Sequence, residues 1–203
     1  MITVVDYGVG NIGAILNMLD YLGLDAQATG DARTIERADK LVLPGVGAFD
    51  KAMGTLRERR LVEPLNTAVL DRKVPVIGVC LGMQLLARRS EEGRDAGLGW
   101  LPADVRRIAL PAGSPLKVPH IGWMEVRPTR TSLLFGAGST AERFYFDHSY
   151  HVVCDHEEHQ AAVIDYGSPL CCAVAMDNVF GAQFHPEKSH RFGMRLFTAF
   201  GKL

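Results

Sequence analysis

Apolar positions in the first half of the chain alternate between two spacings. Residues 2–6 form a short β-branched run that stops at glycines, the pattern of a buried strand. Ile12, Ile15, Leu16, Leu19 and Leu22 then recur at helical spacing, with Gly23 placed as a capping glycine. Residues 24–29 and 40–43 read as further strands, the second closed by Pro44. Helical spacing returns over 49–60 and 62–72. Residues 76–79 read as a strand that turns at once into a helix over 81–88. Such alternation predicts βαβ units and an α/β fold, a mostly parallel sheet with helices on both faces. The second half instead offers short β-rich runs at 104–108, 143–146, 151–153, 161–164, 170–176 and 179–184, with Asp177-Asn178 as a tight turn between the last two. These predict an antiparallel extension from the C-terminal half, followed by a closing helix over 190–200 that carries Phe192, Leu196, Phe197 and Phe200 on one side. The polar stretch 90–99 reads as a mobile loop, and 136–140 as an exposed turn.

Composition narrows the class. The 203 residues are 47% hydrophobic and 22% charged, values of a packed protein, and one domain over 1–203 is expected. Lys and Arg number 22 against 23 Asp and Glu, so charge gives no reason to expect nucleic acid or a membrane as partner. Cys80, Cys154, Cys171 and Cys172 lack CxxC spacing, which argues against a disulfide scaffold or a structural zinc site. The opening residues lack a signal-peptide pattern, and no run is long enough to span a bilayer, so a soluble cytoplasmic protein is expected.

In an open α/β sheet, ligands bind beyond the carboxyl ends of the parallel strands. Three strand ends here carry glycines: Gly8-Val9-Gly10, Pro44-Gly45-Val46-Gly47 and Gly78-Val79-Cys80-Leu81-Gly82. The last is a strand, then G-x-C-x-G, then a helix, the nucleophile-elbow pattern with sulfur as nucleophile. A helix beginning at Leu81 would direct its N–H groups at the sulfur and favour thiolate, with the Leu81 N–H placed for an oxyanion. The glycines of the Pro44–Gly47 loop would let further amides approach, making Val46 and Gly47 the rest of an oxyanion hole. A thiolate needs a base, and the base an orienter. His185 ends an apolar strand and precedes Pro186, which biases it to extended backbone, and Glu187 lies two residues on. Cys80, His185 and Glu187 thus form a candidate triad. Cys154, Cys171, Cys172, Trp123, Met124, Tyr145 and Tyr150 read by default as packing residues.

With these motifs in that order, the sequence resembles the class I (triad-type) glutamine amidotransferases, and within them the glutaminases of histidine biosynthesis. Further segments carry the resemblance: Asp6-Tyr7-Gly8-Val9-Gly10-Asn11, Met83-Gln84-Leu85-Leu86, Val118-Pro119-His120-Ile121-Gly122-Trp123, Phe144-Tyr145-Phe146, His148-Ser149-Tyr150 and Gln183-Phe184-His185-Pro186-Glu187-Lys188-Ser189. It implies a flavodoxin-like sheet. It also implies that Cys80 attacks glutamine, His185 moves the proton and Glu187 orients His185, with no cofactor. Gln84, His148, Ser149 and Tyr150 would hold the substrate. Ammonia would pass to a cyclase subunit of (β/α)₈-barrel type in a heterodimer, with Val9, Asn11, Trp123, Tyr145 and Lys188 at the interface and ammonia passage. The cyclase would use the ammonia to make imidazole glycerol phosphate and an aminoimidazole carboxamide ribotide. Two segments, at 11–19 and 188–194, resemble instead a paralogous branch paired with sugar amidotransferases of surface polysaccharides. The partner and final acceptor therefore stay open.

The same residues bear on other classes. Gly8-Val9-Gly10-Asn11-Ile12-Gly13 matches a G-x-G-x-x-G dinucleotide fingerprint, with Asp31 as its acidic residue. Asp6 at the strand end and the antiparallel second half argue against an oxidoreductase. A cysteine hydrolase with another substrate and a catalytically dead subunit complete the set, the last opposed by the intact Cys80, His185 and Glu187.

Overall fold

The computed structural model of the chain describes residues 1–129, 134–135 and 142–203, so the turn expected at 136–140 lies outside the described residues. Strands β1 (Ile2–Val5), β2 (Ala26–Thr29), β3 (Lys40–Gly45) and β4 (Val76–Cys80) alternate with helices α1 (Ile12–Tyr21), α2 (Ala32–Glu36), α3 (Phe49–Glu58) and α4 (Val62–Asn66). Helix α5 (Leu81–Leu85) follows β4 directly. The rest is β5 (Ala103–Arg107), β6 (His120–Pro128), β7 (Glu142–His148), β8 (Tyr150–Cys154), β9 (Gln160–Asp165), β10 (Pro169–Met176), β11 (Val179–Ala182) and α6 (His190–Gly201).

Among the described residues, nine strands form one sheet in the order β2-β1-β3-β4-β11-β10-β9-β6-β7. The first five pair in parallel, and β10, β9, β6 and β7 extend the sheet antiparallel. This is the expected α/β architecture of a parallel sheet with an antiparallel extension. Alternation along the strands explains the two cores. Ile2, Val4 and Val42 pack with Ile15 and Leu19 of α1 and Phe197 and Phe200 of α6. Val5, Leu41, Leu43 and Val76 face the other way, onto Ile35, Leu56, Leu65 and Met83 of α2 to α5. Apolar residues at alternate positions thus cover both faces of the sheet with helices. Because the five strands are parallel, the residues after β1, β3, β4 and β11 emerge on one edge.

Some elements differ from expectation. Pro44 does not close β3 but pairs with Val79 inside it; the β1 ladder has ended at Val42, so on that side there is none left to break. The expected helix at 81–88 stops at Leu85. The Leu85, Leu86 and Ala87 carbonyls instead accept from the Leu98, Leu101 and Gly99 amides, at 2.8, 3.0 and 3.1 Å. The 90–99 stretch is accordingly fastened rather than loose. Asp50 accepts from the Arg94 and Asp95 amides, Glu92 Oε2 accepts from the Phe49 N–H at 2.8 Å, and Arg57 pairs with Asp95. The run at 104–108 leaves the main sheet and pairs as β5 with β8 in a two-stranded ribbon. Strand β6 had no sequence signal, since its apolar residues Ile121 and Trp123 face outward and Gly122 and Pro128 interrupt it.

Candidate active site

The turn from β4 into α5 is as tight as its glycines suggest. A Cβ on Gly82 would lie 1.9 Å from the Leu43 carbonyl oxygen, and one on Gly78 2.5 Å from the Gly82 oxygen. Between them Cys80 takes φ 55 and ψ −114, a left-handed conformation that costs a non-glycine residue of order 1–3 kcal/mol. This strained backbone lifts the sulfur off the sheet edge. Cys80 is mostly buried yet lines a cleft of about 330 Å³. Its Sγ contacts the Asp147 carbonyl at 3.9 Å and accepts from Gln183 Nε2 at 3.8 Å.

His185 follows β11 from the neighbouring strand end, so β4 and β11 deliver sulfur and imidazole side by side. Its backbone is pinned from behind: its N–H donates to the Tyr145 carbonyl at 2.9 Å, and Ser189 Oγ donates to its carbonyl at 2.6 Å. The Tyr145 amide in turn donates to Ser189 Oγ at 3.0 Å. Glu187 Oε1 lies 2.8 Å from His185 Nδ1, and Asn11 Nδ2 reaches the same oxygen at 3.5 Å. A carboxylate accepts here, so the Nδ1 proton points to Glu187 and Nε2 is left for Cys80. Burial is the largest single influence on this ring and pulls its pKa down. The hydrogen bonds to Cys80 and Glu187, together with their charges, overcome it and raise the pKa to about 10. The ring is therefore poised to hold a proton beside the sulfur.

The remaining candidates fall into two groups. Val46, Gly47, Leu81, Gln84, His148, Ser149 and Tyr150 all line the cleft with Cys80 and His185. Leu81 begins α5 beside the sulfur, while Gly45 is the register partner of Cys80. The loop is rigid at its start, where Tyr7 Oη donates to the Pro44 carbonyl at 2.7 Å. It is free at its end: Val46 is 45% exposed, and Gly47 takes φ 90 with open space around it. The second group is Val9, Asn11, Trp123, Tyr145 and Lys188, of which Lys188 also lines the cleft. Lys188 Nζ sits 5.6 Å over the Tyr145 ring, and Trp123 packs edge-on against Tyr145 at 6.1 Å and flat on His190 at 5.5 Å. Trp123 thus packs between two rings, as its default reading has it, while staying 38% exposed. Val9 is partly buried and packs against the core that α2 to α5 cover.

Sequence reasoning passed over Glu92, Pro119 and Asp147 in the cleft wall, and Gln183 and Tyr7 behind it. A fully buried amide within the apolar run before His185 was a usable signal for Gln183. Glu92 had none, because it sits in a polar stretch among other charges. The acidic residue of the dinucleotide fingerprint has other work: Asp31 caps α2, accepting from the Thr34 N–H at 2.8 Å and its hydroxyl at 2.7 Å.

Known proteins resemble this chain over nearly its whole length. The profile of the family described as "Glutamine amidotransferase class-I" matches residues 3–201. The chain is 48% identical over 203 residues to the imidazole glycerol phosphate synthase subunit HisH 2 of Pseudomonas aeruginosa, covering 100% of both chains. It is 44% identical over 202 residues to the subunit of the same name from Methanococcus maripaludis, covering 100% of this chain and 99% of that one. Among solved structures, a glutamine amidotransferase superposes with a TM-score of 0.77 at 21% identity, covering 99% of this chain and 97% of the other. PurLQS from Thermotoga maritima gives 0.75 at 17% identity, covering 98% and 96%; both structures bear on the fold alone.

Proposed function

The chain belongs to the class-I glutamine amidotransferases, and from that membership we propose that it is the glutaminase subunit of an imidazole glycerol phosphate synthase. The observation that carries this reading is that Cys80 and His185 line one cleft while Glu187 holds the Nδ1 side of the ring. The Cys80 sulfur attacks the carboxamide carbon of glutamine, forming an S–C bond and an oxyanion. The Leu81 N–H and the Val46–Gly47 backbone receive that oxygen. As the C–N bond breaks, His185 Nε2 gives its proton to the leaving nitrogen and ammonia departs. Water, deprotonated by the same nitrogen, attacks the thioester, releasing glutamate and restoring the thiol. Glu187 orients the ring throughout. Gln84, His148, Ser149 and Tyr150 hold the amino acid, and the Glu92 carboxylate at the cleft wall suits its α-ammonium group.

Ammonia released into neutral water becomes mostly ammonium, which has no lone pair to attack with, so an internal route to the acceptor is favoured. Val9, Asn11, Trp123, Tyr145 and Lys188 mark the side on which a (β/α)₈-barrel cyclase would dock in a heterodimer. The cyclase would use the ammonia to make imidazole glycerol phosphate and an aminoimidazole carboxamide ribotide in histidine biosynthesis. Reorientation of the free Val46–Gly47 peptide, with Pro44 held by Tyr7, is the switch by which an occupied partner would complete the oxyanion hole.

The paralogous reading, supply of ammonia to a sugar amidotransferase, rests on the 11–19 and 188–194 segments. Asn11 of the first segment reaches Glu187, the residue just before the second. Co-expression with the cyclase subunit, then a glutaminase assay with and without its ribotide substrate, separates the two. A stable complex whose glutamine hydrolysis rises on adding the ribotide is expected. Failure to co-purify, with activation by a sugar amidotransferase instead, would assign the chain to the other branch.

A further inference from the structure

His120 and His148 are opposite partners in the β6/β7 ladder, and both rings are buried. His148 lines the cleft and His120 stands behind it, outside the lining. His148 Nδ1 lies 2.8 Å from the Tyr150 carbonyl oxygen, and His120 Nδ1 lies 3.1 Å from His148 Nε2. A carbonyl oxygen can only accept, so His148 carries its proton on Nδ1. A neutral imidazole has one N–H, which leaves His148 Nε2 bare and makes it the acceptor for a proton on His120 Nδ1. Burial keeps both rings neutral near pH 7. It lowers His120 to about 4 and His148 to about 3, the latter despite the opposing bond to Tyr150 and helped by neighbouring His120, His151 and His185. The His120 ring is clamped between Tyr166 at 4.1 Å and Phe146 at 4.9 Å, and Tyr166 Oη is itself tied to the Lys117 carbonyl at 2.7 Å.

The chain continues to the nucleophile. The Tyr150 carbonyl also accepts from Gln84 Nε2 at 3.1 Å, and the same amide donates to Gln183 Oε1 at 3.0 Å. Gln183 Nε2 donates to the Cys80 sulfur at 3.8 Å. Every step from His120 to Cys80 is therefore a hydrogen bond with an assigned direction.

We propose that His120 is a positioning residue for the glutaminase reaction, fixing the tautomer of His148 and through it the Tyr150 carbonyl and Gln84 amide of the substrate wall. The reaction rests on the function proposed above; the tautomer assignment does not. A merely structural His120 would be a ring filling a gap, best replaced by Phe. A positioning His120 is a donor, best replaced by Asn, whose amide nitrogen sits close to the place of Nδ1. In the full-length chain, alone and with the cyclase subunit, His120→Phe should raise KM for glutamine about tenfold or more with a much smaller change in kcat, the scale of one lost buried hydrogen bond. His120→Asn should stay within about threefold of the parent. Long-range ¹H–¹⁵N spectra of the unsubstituted, ¹⁵N-labelled chain should show both rings as Nδ1–H tautomers at pH 7. An Nε2–H tautomer on either ring, or a Phe variant that keeps the parent KM where Asn loses it, would overturn the proposal. A chain without any glutaminase activity would instead sink the functional reading, and the spectra would still decide the tautomers.

Discussion

Replacing Cys80 with alanine is expected to abolish release of ammonia from glutamine, by about 10⁴-fold or more, with the fold intact. The size follows from covalent catalysis: without the sulfur no thioester forms, and what remains is binding and an oxyanion site with nothing to stabilise. Alanine is smaller than cysteine and the site opens onto a cleft, so the residual volume is shared with solvent. Alanine meets the same left-handed strain at φ 55 that cysteine already bears. The variant also reports on His185. The hydrogen bond and charge of Cys80 help raise that ring to about 10, while burial pulls the other way. With Cys80 removed, Glu187 alone opposes burial, so the His185 pKa should fall, as followed by NMR titration of the ring. A variant that still releases ammonia would remove Cys80 from the chemistry. An unmoved His185 titration would mean that the ring does not feel the sulfur.

The second large effect separates the other two members. His185→Ala should lose nearly as much activity as the Cys80 variant, about 10³–10⁴-fold, because one ring serves both proton transfers. Glu187→Gln should retain more, with a loss of about 10–10²-fold, because an amide oxygen can still accept from Nδ1 and only the charge is lost. The bond in question is the 2.8 Å contact between His185 Nδ1 and Glu187 Oε1, and the Glu187 side chain is 1% exposed. Glutaminase rates of the two variants, with circular dichroism to check folding, test this order. Equal, complete loss in both would give Glu187 a structural role, which its burial and its contact with Asn11 would then explain.

Much of this site could be read from the sequence because it sits where backbone chemistry is demanding. An elbow between β4 and α5 needs glycines at 78 and 82, where the Leu43 and Gly82 backbones leave no room for a Cβ, so its signature survives as spacing. His185 was marked by a proline and by the end of an apolar run. Asp177, with φ 49 at the β10–β11 turn, was legible for a similar local reason. What was missed depends on contacts distant in sequence. The early end of α5 is set by amides from 98–101 that capture its last carbonyls. Strand β6 reads poorly because its exposed Ile121 and Trp123 invert the usual alternation, apolar residues pointing away from the core. Glu92 reaches the cleft only because its stretch is tied to the start of α3. No local pattern announces that His120 and His148, 28 residues apart, share a proton.

The most direct test of the central claim, that Cys80 is the glutamine-reactive sulfur, uses a chloroketone analogue of glutamine and peptide mass spectrometry of all four cysteines. Alkylation of Cys80 alone, slowed by added glutamine, is the predicted result. Label on Cys154, Cys171 or Cys172 with Cys80 unmodified would contradict it.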